Sequence, residues 1–426
     1  MTCTAHKFGG ASVRDADAIR RLEALLTSQL GPDGKAIVVV SAMGKTTNAL
    51  EDIWRAEGQE RAALWDRCVK NHTQVARELE LPTRALERLQ ERMLACWEEA
   101  HRIESDGAMA ASEKAAASYD AFVAAGELAS TTLVEGWLQA SGMSTRWWDV
   151  RDTLATTGPH RFARVDEAQL IDLGAPLRDV LNGSPQVVVT QGFLGRHADG
   201  RTSTLGREGS DYSAALLAVA CSATSVTIWK DVPGMMNADP KRHPEAVTVP
   251  KVDHAEALEL SYYGASVIHP RTVKPLQQGG IPLHVKSFLE PNGPSTCIDA
   301  FPGLVPEAPM FIWRDDQSWM EVYTADGSFL VEDHLTALFG VLDRAGIHVR
   351  LMQQSATHFG LLIDRDDDLM ANFAALLGAG FWVETTHGLT LLTVRHGDEE
   401  VVNELTADRT VKLEQRAAST WRRVLG

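Results

Sequence analysis

The sequence predicts an α/β protein with a mostly parallel central sheet between helices, followed by a smaller α+β region. Three features of the chain support this prediction. Short runs of β-branched residues alternate with helical stretches over the first 290 residues, as in a parallel sheet. These runs end in loops rich in Gly, Ser and Asp. Beyond residue 310 the order of the expected elements changes to βαββαβ, which is the ferredoxin-like arrangement.

Composition narrows the class of protein. The 426 residues exceed one ordinary domain, so two or three domains are expected. A formal net charge of −16 argues against nonspecific binding to nucleic acid or to an anionic membrane surface. The five cysteines form no CxxC pair, and the chain has neither a secretory signal pattern nor a membrane-length apolar run. These features predict a cytoplasmic protein with free thiols and without a structural zinc site.

The first strand and the loop after it form the first candidate site. Residues 4–8 predict a short strand that ends at Gly9 and Gly10, and an amphipathic helix is expected to follow. Adjacent glycines let the backbone approach a ligand and turn N–H groups toward an anion, usually a phosphate. Lys7 would place an ammonium group beside this loop. Taken alone, the glycine pair also fits an ordinary tight turn.

The pattern of strand, small-residue loop and helix then recurs. Residues 35–40 predict a buried strand, and a helix capped by Thr47 or Asn48 is expected after the loop 41–44. Residues 58–104 predict helices throughout, as in a helical hairpin inserted into an α/β domain. We expect this hairpin to pack against the domain and to shape the wall of a cleft.

The rest of the first region continues in the same way. Gly126 and Glu127 fall within or near the start of a further helix, and the loop 204–212 leads into an apolar helix. Four further strands are expected at 146–150, 185–193, 225–231 and 281–288. Ligands of such sheets lie beyond the carboxyl ends of the strands. Because the glycine loops follow strands, we expect them to gather at that edge.

The C-terminal region begins after residues 289–309, which are rich in Pro and Gly and are interpreted as a linker. Strands are expected at 319–323, 347–353, 359–364 and 381–385, with helices at 334–345 and 367–377. A strand at 389–395, a helix near 399–405 and a strand at 411–415 predict a shortened second copy. Half a unit leaves strand edges that need covering, so this copy is expected to serve mainly as an interface.

Several short motifs follow one another in a fixed order in the first region. They are KFGGASV at 7–13, SAMG at 41–44 with TN at 47–48, GE at 126–127, GREGSDY at 206–212, DVPG at 231–234 and GASVIHP at 264–270. In this order they resemble the motifs of the aspartate kinases, over roughly residues 3–290 and more loosely beyond. The resemblance implies an amino-acid-kinase fold at 1–292 with a helical insertion at about 58–104. It further implies an ACT domain at 310–387 and a shortened ACT-like domain at 388–426.

The resemblance implies transfer of the γ-phosphate of ATP, with Mg²⁺, to the side-chain carboxylate of L-aspartate. The products would be ADP and 4-phospho-L-aspartate, the first intermediate toward lysine, threonine and methionine. This chemistry needs no general base, because a carboxylate with a reference pKa near 4 is already ionised at neutral pH. The enzyme must instead hold two anions together and neutralise the charge on the transferred group.

The resemblance also assigns roles to residues. Lys7 and Asp211 are expected to be catalytic, with Lys7 on the phosphates. Glu127 would hold the α-ammonium group of aspartate and Arg207 its α-carboxylate, which leaves the side-chain carboxylate free. The expected substrate-binding residues are Ser41, Thr47, Glu127, Arg207 and Ser210. The expected ATP-binding residues are Lys7, Gly9, Gly10, Ser12, Lys230, Asp231, Met236 and Lys241. No protein ligand for a metal is assigned.

Some nucleotide positions depart from the commonest family pattern. Lys230 stands where threonine is usual, Met236 replaces an aromatic residue, and Lys241 replaces arginine. Ser266 replaces a lysine often used near the nucleotide. We hypothesise that Lys230 compensates for the cation lost at Ser266.

Regulation is implied by the ACT resemblance. The residues expected to contact an amino-acid effector are Ser328, Phe329, Leu330, Gln354 and Ser355. Arg350 and Ala356 occupy positions that often carry Asp and Glu in lysine-inhibited members. The effector is therefore a different amino acid, or the effector site is degenerate. ACT domains usually pair across subunits, so a homodimer or a higher homo-oligomer is expected.

Two alternative functions compete with this interpretation. One is another enzyme of the same fold, acting on glutamate, carbamate or a nucleoside monophosphate. The other is an inactive amino-acid sensor that keeps the fold and the ACT domains. The motifs around Glu127 and at 206–212, with the ACT tail, favour aspartate as the substrate. The joint presence of Lys7, Glu127, Arg207 and Asp211 argues against a sensor.

Overall fold

A computed structural model describes residues 3–31, 33–206, 208–265 and 267–426, and its contacts divide the chain into two compact units. The first unit contains the described residues of Met1–Met235, Thr248–Ser261 and Ser266–Pro306. The second unit contains Met236–Val247, Tyr262–Ala265 and Glu307–Gly426. No helix among the described residues is both long and apolar enough to cross a membrane.

The first unit is built on a mostly parallel sheet. Its strands are β1 (Cys3–Phe8), β2 (Lys35–Val40), β3 (Thr145–Trp148), β4 (Ala155–Thr157), β5 (Arg164–Val165), β6 (Val187–Gln191), β7 (Leu194–His197), β8 (Thr202–Thr204), β9 (Ser225–Lys230), β10 (Lys251–Asp253), β11 (Leu283–Ser287), β12 (Ser295–Asp299) and β13 (Leu304–Val305). Nine of them form one sheet in the order β13-β10-β12-β11-β9-β1-β2-β6-β3. Strand β1 is central and pairs in parallel with β2 and β9. This confirms the predicted α/β class.

Burial explains why the central strands have continuous apolar sequences. The side chains from Ile37 to Val40 are fully buried, as expected for a strand covered on both faces. A second sheet of four short strands, β5-β4-β7-β8, lies in the same unit and was not predicted. Its strands are two to four residues long, so they carry too little periodicity to be recognised from sequence.

Ten helices begin in the described part of the first unit. They are α1 (Ala16–Gln29), α2 (Thr46–Arg55), α3 (Gly58–Glu78), α4 (Thr83–Glu104), α5 (Ala111–Ala140), α6 (Leu170–Leu173), α7 (Ala175–Asn182), α8 (Gly209–Ala220), α9 (His254–Tyr263) and α10 (Pro270–Gly279). Helices α3 and α4 occupy the predicted helical stretch. Helix α5 is buried on all sides from Ala117 to Gly136, which makes it the core helix of the unit.

Three local predictions are wrong. Helix α2 begins at Thr46, so neither Thr47 nor Asn48 caps it, and the Thr46 hydroxyl donates to the Met43 carbonyl oxygen at 2.6 Å. The glycine pair does not open α1 directly. Instead a 3₁₀ turn spans Gly10–Val13, and Asp15 caps α1 by accepting from the Ala18 N–H at 2.8 Å.

The third wrong prediction is the linker at 289–309. This segment contains β12 and β13, which extend the nine-stranded sheet. Strand β12 pairs with β11 in the antiparallel sense and with β10 in parallel. The five residues of β12 alternate between half-buried and buried side chains, as in a strand. Because the segments on either side are rich in Pro and Gly, the sequence around β12 does not indicate a strand.

The second unit is an antiparallel sheet with three helices. Its elements are β14 (Met310–Thr324), α11 (Glu332–Ala345), β15 (Val349–Gln354), β16 (His358–Asp364), α12 (Asp367–Leu377), β17 (Phe381–Arg395), α13 (Glu399–Leu405), β18 (Val411–Ala417) and β19 (Thr420–Leu425). The sheet order is β15-β16-β14-β17-β19-β18. The order βαββαβ from β14 to β17 confirms the predicted α+β arrangement.

The two long strands explain how the repeats join. Strands β14 and β17 pair along most of their 15 residues each, with irregular register between Arg314 and Trp319. The prediction had divided β17 into two strands and had missed β19. Strand β19 pairs with β17 from Thr390 to Arg395 and covers an edge that the shorter copy would have left open.

Candidate active site

A cavity of about 430 Å³ in the first unit brings together seven of the predicted site residues. It lies where β1 and β9, adjacent parallel strands, end at the same edge of the sheet, next to the start of α8. Its lining contains Lys7, Ser41, Thr47, Glu127, Ser210, Asp211 and Lys230 from the predicted set. It also contains Glu51, Tyr119, Arg161, Phe162, Phe193, Gly206, Glu208 and Gly209, none of them in that set.

Asp211 joins two lysines at the floor of the cavity. Its Oδ1 atom lies 2.7 Å from Lys7 Nζ, and its Oδ2 atom lies 3.4 Å from Lys230 Nζ. Burial of Asp211 by itself raises the pKa of its carboxyl group, but the charges of the two lysines outweigh burial and lower that pKa. The three side chains therefore form a buried cluster with a net charge of about +1. Such a cluster attracts an anion into the cavity.

Glu127 presents a second ionisable group from the middle of α5. One carboxylate oxygen, Oε1, accepts from the Ala42 N–H at 3.1 Å. The other oxygen, Oε2, is buried and has no hydrogen-bond partner among the described residues. Burial raises the pKa of Glu127 to about 8, and the Ala42 N–H and the charge of Lys7 oppose that rise only in part. An unpartnered buried carboxylate oxygen is a site for an ammonium group.

Close packing brings Glu127 to this position. A Cβ atom on Gly126 would lie 2.7 Å from the Ala42 Cβ, so only glycine lets α5 approach the 41–44 loop this closely. Gly10 has a similar role on the other side of that loop. A Cβ atom there would lie 2.7 Å from the carbonyl oxygens of both Ala42 and Gly44. The glycines of two predicted motifs therefore hold the loop that carries Ser41 in place.

The remaining ATP-binding predictions fall outside the cavity lining. Gly9 and Gly10 form the backbone next to Lys7, and Ser12 is buried in the 3₁₀ turn. Asp231 is exposed immediately after β9. Met236 and Lys241 belong to the second unit, with Met236 half-buried and Lys241 exposed. Arg207 and Ser266 lie outside the described residues.

Arg161 is the most notable lining residue that sequence reasoning missed. Its backbone has a left-handed φ of 69°, and its N–H donates to Asp120 Oδ2 at 3.0 Å. Its guanidinium carbon lies 4.2 Å from the ring centroid of Tyr119, whose hydroxyl donates to Glu51 at 2.7 Å. No local motif marks these residues. An arginine in an irregular segment between short strands is the weak signal that could have indicated it.

The predicted effector residues all lie in the second unit. The Leu330 N–H donates to the Ala356 carbonyl oxygen at 3.0 Å, which brings the loops after β14 and β15 together. Phe329 is 70% exposed, whereas Leu330 is buried. Ser328 donates its N–H to Asp326, and Ser355 donates its N–H to the His358 carbonyl oxygen. Gln354 is exposed at the end of β15.

The cavity thus combines a cationic floor with a carboxylate that suits an ammonium group, which fits a zwitterionic substrate beside a polyanion. Residues 2–287 match the model of the amino acid kinase family, so the chain belongs to that family. Within it the chain belongs with the aspartate kinases, as the following similarities show.

The lysine-sensitive aspartokinase 3 of Escherichia coli is 32% identical over 405 residues, which cover 92% of this chain and 86% of that protein. Aspartokinase 2 of Arabidopsis thaliana, a chloroplastic protein, is 32% identical over 310 residues. That match covers 70% of this chain and 54% of the plant protein.

Two solved aspartokinase structures are similar to this chain over 99% of its length. The crystal structure of E. coli aspartokinase III with aspartate and ADP, in the R-state, superposes with a TM-score of 0.80 at 29% identity. It covers 99% of this chain and 96% of that chain. The same enzyme with lysine and aspartate, in the T-state, superposes with a TM-score of 0.79, covering 99% and 95%.

Proposed function

We propose that this chain transfers the γ-phosphate of ATP to the β-carboxylate of L-aspartate, forming 4-phospho-L-aspartate and ADP. The observation that carries the proposal is the pairing of the Lys7–Asp211–Lys230 cluster with the unpartnered carboxylate oxygen of Glu127 in one cavity. The relative that resembles this chain over 99% of its length was crystallised with aspartate and ADP, which supports the same pair of ligands here.

In the proposed mechanism Glu127 binds the α-ammonium group of aspartate and thereby orients the amino acid. Arg207 is proposed to hold its α-carboxylate, and Thr47, Ser41 and Ser210 offer hydroxyl groups around it. An oxygen of the β-carboxylate attacks the γ-phosphorus, the bond to the β,γ-bridging oxygen breaks, and ADP leaves with that electron pair. Because the attacking carboxylate is already ionised, positioning and charge neutralisation supply the catalysis.

Lys7 is proposed to neutralise the equatorial oxygens of the transferred group. Asp211 keeps the Lys7 ammonium at one position, 2.7 Å away, so little reorganisation is needed as charge develops. Lys230 adds a second ammonium at the same floor and is proposed to reach the nucleotide phosphates, together with the N–H groups near Gly9 and Gly10. Asp231, Ser12, Met236 and Lys241 remain proposed ATP-binding residues.

Mg²⁺ is proposed to enter with the nucleotide. Bound to ATP, this ion takes most of its ligands from phosphate oxygens and water, with one or two protein carboxylates. Glu208 lines the cavity and offers a buried oxygen, Oε2, that has no hydrogen-bond partner among the described residues. Its carboxylate fits a phosphate-bound Mg²⁺ and would hold it there, whereas the two oxygens of Asp211 face Lys7 and Lys230. The ion would spread the negative charge of the transferred phosphoryl group.

The second unit is proposed to be regulatory and to pair with a second copy of the chain. Its exposed apolar side chains include Phe329 at 70%, Met352 at 49% and Trp382 at 45% exposure, and side chains of this kind could be covered by a second copy. Arg350, which forms an ion pair with Asp364, is itself a cation and so offers no counter-charge for the ammonium group of a lysine effector. We therefore propose that an amino acid without a side-chain cation is the effector. Light scattering of the purified chain and inhibition by lysine or threonine would test these two points.

The activity is tested by trapping the acyl phosphate with hydroxylamine while ADP release is followed with Mg-ATP and L-aspartate. Aspartyl hydroxamate from the unmodified chain is expected, with L-glutamate giving none. Lys7→Met should abolish the product, whereas Lys70→Met, an exposed lysine on α3, should leave it unchanged. A folded protein that releases no ADP with aspartate would refute the proposal and favour a sensor.

A further inference from the structure

Two histidines and an aspartate converge at a place in the first unit that the kinase chemistry does not use. His160 lies between β4 and β5, His197 ends β7, and Asp199 lies in the turn before β8. His160 Nε2 is 3.2 Å from Asp199 Oδ2, and His197 Nδ1 is 3.0 Å from Asp199 Oδ1. The ring centroids of the two histidines are 4.4 Å apart. Their nitrogens and the carboxylate oxygen lie within 4.8 Å of one another.

Each imidazole ring is oriented by an acceptor on its far side. His160 Nδ1 lies 2.9 Å from Asp120 Oδ2, a fully buried carboxylate. His197 Nε2 lies 2.9 Å from the Gly158 carbonyl oxygen. In the tautomer that carries the N–H of each ring on its outer nitrogen, His160 Nε2 and His197 Nδ1 turn their lone pairs toward Asp199, whose backbone N–H lies 3.4 Å from His197 Nδ1. Metal-ligating histidines are held in this way, by a carboxylate or a backbone carbonyl on the other ring nitrogen.

We propose that His160, His197 and Asp199 bind a divalent transition-metal ion. Two ligand atoms about 2.1 Å from a tetrahedral ion lie about 3.4 Å apart. The two nitrogen–oxygen separations, 3.2 Å from His160 to Asp199 Oδ2 and 3.0 Å from His197 to Asp199 Oδ1, are close to that value. Two nitrogens and one carboxylate oxygen favour Zn²⁺, Co²⁺ or Ni²⁺ over Mg²⁺, which prefers oxygen ligands alone. Asp199 is exposed, so the ion can enter from solvent and complete its coordination with water.

The local charge also suits a divalent cation. Asp120, Asp199 and Asp106 carry three negative charges around the site, and the guanidinium of Arg201 contacts both Asp199 and Asp106. The sum is about −2 when both imidazoles are neutral. Arg201 Nη1 lies 3.2 Å from Asp199 Oδ2, so it competes with a metal for that oxygen, while Asp199 Oδ1 faces His197.

The position of the site suggests what a bound ion would do. Asp120, which orients His160, also accepts from the Arg161 N–H and from the Thr204 hydroxyl at 2.6 Å. A metal joining His160 to His197 would therefore tie the segment that carries Arg161 to the β7–β8 turn. Because Arg161 lines the candidate active site, the ion would stabilise one wall of that cavity.

The test uses the full chain without a histidine tag, freed of metal with a chelator, and titrates it with Zn²⁺ or Co²⁺ in a calorimeter. One equivalent should bind. His197→Gln and Asp199→Asn should each weaken binding at least tenfold, while His284→Gln, a half-buried histidine on β11, should not change it. The Co²⁺ spectrum should show tetrahedral d–d bands without the strong near-ultraviolet band of thiolate ligation.

Metal binding should also raise the melting temperature of the unmodified chain and not that of His197→Gln. Circular dichroism of each variant checks that it is folded. Binding of less than one equivalent at 100 μM metal, or equal affinity of the folded His197→Gln variant, would overturn the proposal. In that case the three side chains form only a hydrogen-bonded tie between two loops. These measurements need no kinase activity. Their outcome is therefore independent of the outcome of the hydroxamate assay.

Discussion

The raised pKa of Glu127 makes aspartate binding depend on pH in a calculable way. With a pKa of about 8 in the free enzyme, about one tenth of the Glu127 carboxyl groups are ionised at pH 7 and about one hundredth at pH 6. The ammonium group of aspartate binds the ionised form, so binding at pH 7 costs about 1.4 kcal/mol for removal of the proton. The kcat/KM for aspartate should therefore rise about fiftyfold from pH 6 to pH 8 and then level off.

The substitution Glu127→Gln removes both the charge and its titration. A hydrogen bond to a charged group contributes about 1.5–3 kcal/mol, so the KM for aspartate at pH 9 should rise roughly 10- to 150-fold. The pH profile of kcat/KM should lose its rising limb at the same time. The control is Glu135→Gln, a buried glutamate two turns further along α5 whose partner is Arg88 at 3.4 Å. It should keep the rising limb.

The assay is steady-state ADP release at saturating Mg-ATP from pH 6 to pH 9, in buffers of constant ionic strength. Calorimetry in buffers of different ionisation enthalpy should show that aspartate binding at pH 7 releases close to one proton, which comes from Glu127. A kcat/KM that stays flat over this range, or a rising limb that persists in Glu127→Gln, would refute the assignment of the ammonium site.

Three further substitutions test the other parts of the structure. Lys230→Thr leaves Asp211 with one ammonium partner and should raise the KM for ATP about tenfold; an unchanged value would contradict the proposed phosphate contact. Gly10→Ala forces a Cβ within 2.7 Å of two carbonyl oxygens of the 41–44 loop and should lower kcat/KM at least tenfold, measured by the same assay. Gly360→Ala places a Cβ 2.1 Å from the Trp319 ring and should destabilise the second unit by about 1–3 kcal/mol in urea unfolding.

The control for the last substitution is Gly340→Ala in the interior of α11. A Cβ there meets nothing nearer than an arginine nitrogen at 3.5 Å, and alanine is the better helix former. Gly340→Ala should therefore stabilise the second unit by up to about 1 kcal/mol. Equal effects of the two substitutions would show that the contact with Trp319 does not decide the stability at Gly360.

Local sequence determined which elements form and in what order. The β-branched run at 35–40 predicts a strand buried on both faces, and the strand and helix periods from 319 to 385 predict the βαββαβ order. These signals are local because the side-chain period of an element depends only on neighbours in the chain. Very short elements show no such period, which is why the four-stranded sheet and β13 were not predicted. Strands β12 and β19 are five and six residues long, but neither has a continuous or alternating apolar sequence that would mark it as a strand.

The sequence predicted those residues of the candidate site that belong to motifs. Lys7, Glu127 and Asp211 belong to motifs, and the structure brings them into one cavity. Arg161 and Glu208 line the same cavity, but neither was predicted as a site residue. Arg161 reaches it through a left-handed backbone and a hydrogen bond to Asp120, which lies 41 positions earlier in the chain. A contact over that separation leaves no periodic trace in a single sequence.

The ionisation of the site was decided by tertiary structure alone. Glu127 has an ordinary carboxyl group in the unfolded chain, and its pKa rises because α5 is buried and Gly126 packs against Ala42. The pKa of Asp211, on α8, falls although it is equally buried, because Lys7 on β1 and Lys230 on β9 place their charges beside it. Several of the residues proposed to supply the chemistry could be identified from motifs in the sequence. Their charge states depend on burial and on partners about 20 to 200 positions away, and these exist only once the sheet has formed.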